Sequence, residues 1–167
     1  GVINKKKEND YVKSWDEFSF IERSTEAIAI LSKVFGKIIV VTNQRGVSKN
    51  LMTEIDLKSI HNNMKDVIRK GSGLIDKIYY CTQISDFADC RKPNTGMAML
   101  AKKDFPEIDF SKSVVVGDSK SDIDFGKKLG FITVYINSKK KKFTFESDFI
   151  FNSLYDFSKN IFNLNDI

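Results

Sequence analysis

The stretch VVVGDSKSD at residues 114–122 is the segment that decides the fold. Its three consecutive valines predict a strand buried on both faces, as in the parallel sheets of α/β proteins. Gly117 allows a tight turn after the strand, and Asp118 and Asp122 then lie one helical turn apart on the same side of the chain. Ligands of open parallel sheets bind beyond the carboxyl ends of the strands. The stretch therefore predicts two carboxylates at a ligand-binding edge.

Two other segments predict polar side chains at the same edge. The segment VVTNQ at 40–44 ends a second apolar strand with Thr42 and Asn43, and CRKP at 90–93 places Lys92 after a third strand and a polar loop. A hydroxyl, an amide, a lysine and two carboxylates would thus converge on one crevice. This inventory suits a phosphate with a divalent cation beside it.

Each of these residues also has a plainer interpretation. Asn43 is common in ordinary turns, and Asp122 could only favour the dipole of a helix from its first turn. Lys92 could neutralise charge on a transferring phosphoryl group, and Arg91 offers a bidentate fork for a second anion. Taken singly, however, a lysine or arginine in a loop is more often a solvated cation.

Strands alternate with helices along the whole chain. The predicted strands are 38–41, 75–81, 114–116, 132–136 and 149–151, and the predicted helices are about 24–34, 53–70, 96–103, 121–129 and 154–162. Ser24 or Thr25 is expected to cap the first helix, residues 53–56 to form a capping box at the start of the second, and residues 1–20 to form a long loop. This alternation implies parallel βαβ units with right-handed crossovers in a single domain over residues 1–167.

Composition excludes several classes of protein. The chain has 167 residues, of which 41% are hydrophobic and 29% charged, as in an ordinary globular domain. No apolar run approaches the roughly 20 residues that span a bilayer, so no membrane partner is expected. No signal peptide is recognisable, and two cysteines make no disulfide framework, so the cytoplasm is the expected compartment.

The chain is basic, with a net charge of +5 concentrated in the lysine runs 5–7 and 139–142. Such runs could attract an anionic substrate or a nucleic acid, or could be solvated loops. No aromatic side chains interleave with them as they do in single-strand binders. No nucleic-acid partner is therefore expected.

Zinc and a histidine-based mechanism are not expected either. Cys81 and Cys90 bracket a polar loop that contains no histidine and no third cysteine, whereas a structural zinc site needs four nitrogen or sulfur ligands. His61 is the only histidine and lies within a predicted helix. Acid–base chemistry must therefore use carboxylates or lysine.

Taken together, the motifs resemble the haloacid dehalogenase superfamily of phosphatases over nearly the whole chain. Within it the resemblance is strongest to the heptose-1,7-bisphosphate 7-phosphatases, with histidinol-phosphate phosphatases close to them. Residues 1–4 (GVIN), 40–46, 90–97 and 117–118 stand where that family has its signatures. The resemblance implies a Rossmann-like, doubly wound parallel sheet flanked by helices. It also implies a Mg²⁺-dependent phosphatase that works through an aspartyl-phosphate intermediate. The reaction would be one step in building the heptose of surface polysaccharide.

The resemblance assigns roles to individual residues. Asp118 would hold Mg²⁺ with Asp122 in support, and Lys92 would neutralise the charge of the transferring phosphate. Arg91 would hold the second phosphate of a small phosphorylated sugar. The remaining candidate substrate-binding residues are Thr42, Asn43, Gln44 and Arg45.

The sequence departs from the family pattern in three places. The family has a strand ending in Asp-x-Asp directly before Gly-Val-Ile-Asn, and these nucleophile and acid–base residues do not precede Gly1 here. The expectation is a natural enzyme that lacks its first residues and its first central strand, inactive as written. Gln83 and Ala88 replace two zinc ligands of zinc-bearing members. Ser119 and Arg45 stand where the heptose enzymes carry lysine and often serine, which leaves the substrate open.

Two other functions stay open from the sequence. One is a phosphatase acting on histidinol phosphate or on polynucleotide ends, and the other is a non-catalytic phosphate-binding module. The chain is expected to be a monomer.

Overall fold

In the described part of the chain, five parallel strands form two separate sheets. The computed structural model describes residues 1–8, 10–140 and 142–163, so Lys141 of the second lysine run lies outside the described residues. The strands are β1 (Ile39–Asn43), β2 (Lys77–Cys81), β3 (Val114–Gly117), β4 (Ile132–Ile136) and β5 (Phe149–Phe151). β1 pairs with β2, and the second sheet has the order β3-β4-β5.

Helices cover both faces of the strands. They are α1 (Ser24–Leu31), α2 (Arg45–Ser48), α3 (Glu54–Lys70), α4 (Gly96–Asp104), α5 (Lys120–Leu129) and α6 (Leu154–Asn160), with 3₁₀ turns at Trp15–Glu17, Phe110–Lys112 and Ile161–Asn163. Val114 and Val116 of β3 pack into the cluster formed by α1, α3 and α6. Val115, between them, packs with Ala98 of α4 and Phe125 of α5. The alternation along β3 therefore confirms the doubly wound α/β class.

An apolar slot separates the two sheets. Among the described residues β1 pairs only with β2 and β3 only with β4, so each has one edge without a partner strand. Both strands line a single cavity of about 910 Å³, whose apolar walls include Ile28, Leu57 and Phe157. The slot lies where the resemblance places a central strand.

Helix ends follow the local signals, with one exception. Thr53 and Asp56 form a capping box at the start of α3, as the sequence predicts. α5 ends at Gly130, whose φ of 71° is in the left-handed region that favours glycine. The prediction that Ser24 or Thr25 caps α1 is wrong. Ser24 is already helical, and its hydroxyl donates to the carbonyl of Ile3 instead.

The first twenty residues are more ordered than the predicted loop. Trp15 and Phe18 stack with ring centroids 4.9 Å apart, and Phe20 packs edge-on against Phe18. All three aromatic side chains contact the main apolar cluster. Their burial fixes the segment beside the slot, and Phe18 lines it. No helix in the described part of the chain is long and apolar enough to cross a membrane.

Candidate active site

Lys92 lies at the centre of the polar side chains that gather at the carboxyl ends of the strands. Its ammonium donates to the carbonyl oxygen of Val41 at 2.7 Å and to Asp122 Oδ1 at 2.6 Å. Only 12% of its side chain is exposed. Because Val41 belongs to β1 and Asp122 to α5, Lys92 joins the two halves of the molecule at the carboxyl ends of their strands.

Asp122 is fully engaged by protein groups. Its Oδ2 accepts from the backbone N–H of Ser119 at 3.1 Å and from the Ser119 hydroxyl at 2.6 Å, while Oδ1 takes Lys92. A Cβ on Gly117 would lie 2.1 Å from the Cβ of Asp122, so only glycine fits there. Asp122 is therefore held to cap α5 and to orient Lys92, which fits a supporting role better than direct contact with a metal.

Asn43 fixes the backbone of Lys92. Its side-chain oxygen accepts from the Lys92 N–H at 3.0 Å, and its amide nitrogen donates to the Lys92 carbonyl at 3.2 Å. Next to it, Gln44 Nε2 donates to the Thr42 hydroxyl at 3.1 Å. The side chain of Asn43 is thus used to position Lys92, and the neighbouring hydroxyl and amides line the same cavity.

Asp118 lies at the end of β3, where the sequence predicts it. Its Oδ2 accepts from the amino group of Gly1 and lies 3.5 Å from the Lys6 ammonium. Burial alone would raise the pKa of Asp118, but the hydrogen bond and charge of the Gly1 amine, together with Lys6, hold it below the ordinary value. This carboxylate is an oxygen ligand of the kind that Mg²⁺ prefers.

A second cationic cluster lies beside Lys92. Asp86 Oδ1 accepts from Arg91 Nε at 2.9 Å and from an Nη of Arg45. The Arg91 side chain is 11% exposed, whereas that of Asp86 is 79% exposed. The hydrogen bond from Arg91, and then the charge of Arg45, lower the pKa of Asp86. Two guanidinium groups therefore share one exposed carboxylate.

The loop that carries Asp86 is closed at its base. Cys81 and Cys90 form a disulfide, and the Asn94 amide donates to the carbonyls of Asp86 and Ala88 at 3.0 Å each. The sequence does not predict the disulfide. No cluster of three or more metal-ligating side chains occurs in the described ranges. The absence of zinc stays a prediction, which metal analysis of the purified protein would test.

The structure brings most of the sequence-predicted residues to one edge. Thr42, Asn43, Gln44, Lys92, Asp118 and Asp122 all line the mouth of the slot. Arg91 and Arg45 adjoin Lys92 and Gln44 in the chain and meet at Asp86. Sequence reasoning missed Asp86, because a single carboxylate in a polar loop follows no pattern.

Comparison with known proteins gives the family. A sequence profile described as polynucleotide kinase 3 phosphatase matches residues 1–159. The chain belongs to this family of haloacid-dehalogenase-like phosphatases. Its membership agrees with the resemblance carried by the motifs and with the doubly wound sheet.

Relatives of this family member include named phosphatases. It is 32% identical to D-glycero-beta-D-manno-heptose-1,7-bisphosphate 7-phosphatase of Neisseria meningitidis serogroup A, over 99% of this chain and 92% of that protein. It is 34% identical to the corresponding alpha-heptose enzyme of Mycobacterium bovis, over 77% of this chain and 68% of that protein. The D,D-heptose bisphosphate phosphatase of B. bronchiseptica, solved with magnesium and phosphate, superimposes with a TM-score of 0.87 and is 26% identical, covering 98% of this chain and 94% of that one.

Proposed function

We propose that residues 1–167 form the phosphate-binding domain of a Mg²⁺-dependent phosphatase. Its proposed substrate is a sugar bisphosphate, D-glycero-D-manno-heptose 1,7-bisphosphate. The observation that carries the proposal is the convergence of Lys92, Asp118 and Asp122 at the carboxyl ends of β1 and β3. The names of the relatives supply the substrate class. Because they include both anomers, the preferred anomer is left open.

The residues present fit a magnesium ion in part. Asp118 offers a carboxylate that is one-quarter exposed, and all of its described hydrogen bonds are to Oδ2. Mg²⁺ prefers such oxygen ligands and keeps several waters. Asp118 would hold the ion and Asp122 would act through Lys92. When bound, the metal would supply charge stabilisation to a phosphoryl group.

Lys92 and the backbone beyond β1 would receive the phosphate to be transferred. The ammonium is anchored by Val41 and Asp122, so its position is set before substrate binds. A fixed cation costs no reorganisation when negative charge develops on the phosphoryl oxygens. Thr42 and Gln44 would contribute donors at the same place, and Arg91 would hold the second phosphate.

The nucleophile is proposed to come from a strand joined to Gly1. The slot between β1 and β3 has an unpaired strand edge on each side and apolar walls. The amino group of Gly1 lies at Asp118, beside the carboxyl end of β3. A strand in the slot that leads into Gly1 would therefore present an Asp-x-Asp end directly to Lys92 and Asp118.

Phosphate release tests the proposal. The 167-residue chain is expected to release no phosphate from heptose 1,7-bisphosphate with Mg²⁺, because no strand ending in Asp-x-Asp precedes Gly1 in it to supply the proposed nucleophile. The same chain preceded by a strand ending in Asp-x-Asp should do so, and the matched extension ending in Asn-x-Asn should not. Turnover by the 167-residue chain, or none by the Asp-x-Asp form, would contradict it.

The family description favours a second candidate, a phosphatase for polynucleotide ends. Against it, two lysines of the basic runs are already paired: Lys139 contacts Glu8 at 2.6 Å, and Lys7 contacts Glu17 at 3.0 Å. A 3′-phosphorylated oligonucleotide tested with the extended chain separates the two. A nucleic-acid substrate would show release that falls steeply with salt.

The rest of the proposal concerns setting. The proposed compartment is the cytoplasm, because phosphorylated sugars are too highly charged to cross a membrane unaided. The proposed oligomeric state is a monomer. In that reducing compartment the Cys81–Cys90 pair would exchange with cellular thiols.

A further inference from the structure

Arg45 and Arg91 form an anion site that is occupied by a side chain of the protein itself. Both guanidinium groups donate to the same oxygen of Asp86. Two positive charges therefore face one negative charge, and the cluster keeps a net positive charge. A phosphate carries up to two negative charges and three terminal oxygens, so it matches two guanidinium forks better than a single carboxylate does.

The arginines are not fully satisfied in this arrangement. Arg45 Nε and Arg91 Nη1 are buried and have no hydrogen-bond acceptor among the described residues. Arg45 has one further acceptor, the carbonyl of Ile84 at 2.9 Å, which lies in the same loop as Asp86. A buried donor without an acceptor is unfavourable. A ligand with more oxygens than Asp86 would correct this.

Asp86 is the weakly held member of the cluster. Its side chain is 79% exposed, whereas that of Arg91 is 11% exposed and that of Arg45 is 30% exposed. Exposed ion pairs contribute little to stability, because water competes for both partners. The carboxylate of Asp86 can therefore leave the arginines with little loss of folding stability, whereas burial restricts the movement of Arg91.

The position of the cluster fits a second phosphate of the substrate. Arg91 directly precedes Lys92, so their Cα atoms are about 3.8 Å apart. Arg45 begins α2 immediately after Gln44. The two arginines thus adjoin, along the chain, two residues proposed to bind the reacting phosphate, Gln44 and Lys92, while their guanidinium groups meet at Asp86 and leave the Lys92–Asp122 pair intact.

We propose that Asp86 holds the place between Arg45 and Arg91 that the non-reacting phosphate of a sugar bisphosphate takes, and that it moves aside when the bisphosphate binds. This rests on the proposed function for the substrate class. Asp86 is then a specificity-determining residue. Its carboxylate competes with anions, so only a ligand that brings a full phosphate to this place while binding beside Lys92 displaces it readily.

Calorimetric titration of the 167-residue chain tests this, with glucose 1,6-bisphosphate as the probe and glucose 6-phosphate as the one-phosphate reference, both with Mg²⁺. Asp86→Asn and Asp86→Ala should each tighten binding of the bisphosphate by about 3- to 10-fold, which is the strength of an exposed ion pair. Binding of the monophosphate should change less. Asp89→Asn is the matched control, since it removes an equal charge from an exposed position in the same loop.

A double variant separates competition from a general charge effect. Arg91→Ala added to Asp86→Asn should abolish the gain, because the bisphosphate then has no second arginine to engage. Weaker binding in Asp86→Ala would overturn the proposal, since it would mean that Asp86 positions the arginines. An equal gain in Asp89→Asn would also overturn it.

The outcomes distinguish this inference from the proposed function. If the wild-type chain binds the bisphosphate more tightly than the monophosphate but Asp86→Asn binds it no better, only the role of Asp86 is wrong. If neither the wild type nor Asp86→Asn prefers the bisphosphate, both the substrate class and the role of Asp86 are wrong. Thermal melting of each variant verifies that it folds.

Discussion

Arg91 and Lys92 are neighbours in the chain but have different partners. Lys92 points to the end of β1 and to Asp122, whereas Arg91 points to the loop and Asp86. The two cations therefore serve different phosphates in the proposed reaction, and their loss should have different kinetic signatures.

In the extended enzyme, Lys92→Ala should mainly lower kcat, by on the order of 10²-fold or more, because it removes charge stabilisation from the phosphoryl group in transfer. Arg91→Ala should cost roughly 2–3 kcal/mol in kcat/KM for a sugar bisphosphate and little for a monophosphate. Steady-state kinetics of both variants on both substrates measure this. Equal losses for Arg91→Ala on the two substrates would mean that it serves the fold or the reacting phosphate.

His61 offers a prediction about pH. Burial on α3 against the ring of Tyr80, 5.6 Å away, lowers the pKa of His61 to about 4. The unfolded chain binds a proton near pH 6.5 and the folded one does not, so stability should be complete above that pH and fall as the pH drops towards 4. The loss is at most about 3 kcal/mol.

Urea unfolding at several pH values measures this dependence. His61→Gln should flatten the part between about pH 6.5 and 4 and leave the steeper loss below pH 4, which arises from carboxylates. His61 is the only histidine of the chain, so no other imidazole confuses the comparison. An unchanged slope in the variant would show that His61 titrates alike in both states.

At the scale of elements, the sequence predicts what depends on local pattern. β4 and β5 occur where predicted, and the capping box of α3 forms as expected because its residues are contiguous. The strand predicted at 38–41 is shifted to Ile39–Asn43. Pairing with β2 extends it into polar residues, and pairing is a property of the sheet, which a short window of sequence does not contain.

Other features depend on contacts between distant residues. The four-residue helix α2 has no apolar periodicity of its own, and Gly46 within it packs under the ring of Tyr11. The clamp of Asn43 on Lys92 and the bridge from Asp86 to two arginines join residues up to 49 positions apart. Such side-chain roles become visible only when the chain is folded.

The end of α5 provides a test of backbone conformation. Gly130→Ala should destabilise the protein by about 1 kcal/mol, because its φ of 71° is costly for a residue with a Cβ. Gly36→Ala is the matched control: neither glycine would place a Cβ within 4 Å of another group, and only Gly130 has a positive φ. Denaturant unfolding measures both. An equal loss at Gly36 would show that the conformation of Gly130 is not the cause.

At the scale of the whole molecule, the slot between the sheets governs stability. The unpaired edges of β1 and β3 leave backbone groups without ladder partners and are open to pairing with another chain. A strand supplied before Gly1 should therefore raise the melting temperature by several degrees and reduce aggregation.

The rise in melting temperature should not depend on the two carboxylates at the end of the added strand. An extension ending in Asn-x-Asn should raise the melting temperature as much as one ending in Asp-x-Asp, because the backbone and the apolar side chains fill the slot. An extension of the same length in which the apolar residues are replaced by serine is the control and should give no increase. If it stabilises equally, the added strand does not occupy the slot.

The packing of α1 against α6 bears on synthesis in the cell. The guanidinium of Arg23, just before α1, lies 3.6 Å above the ring of Tyr155, and Ile28 and Leu31 share a cluster with Phe157. A ribosome adds roughly 5–20 residues per second, starting from the amino end. The apolar face of α1 therefore emerges more than a hundred residues before α6, and nascent chains would present part of it to chaperones until α6 has been synthesised.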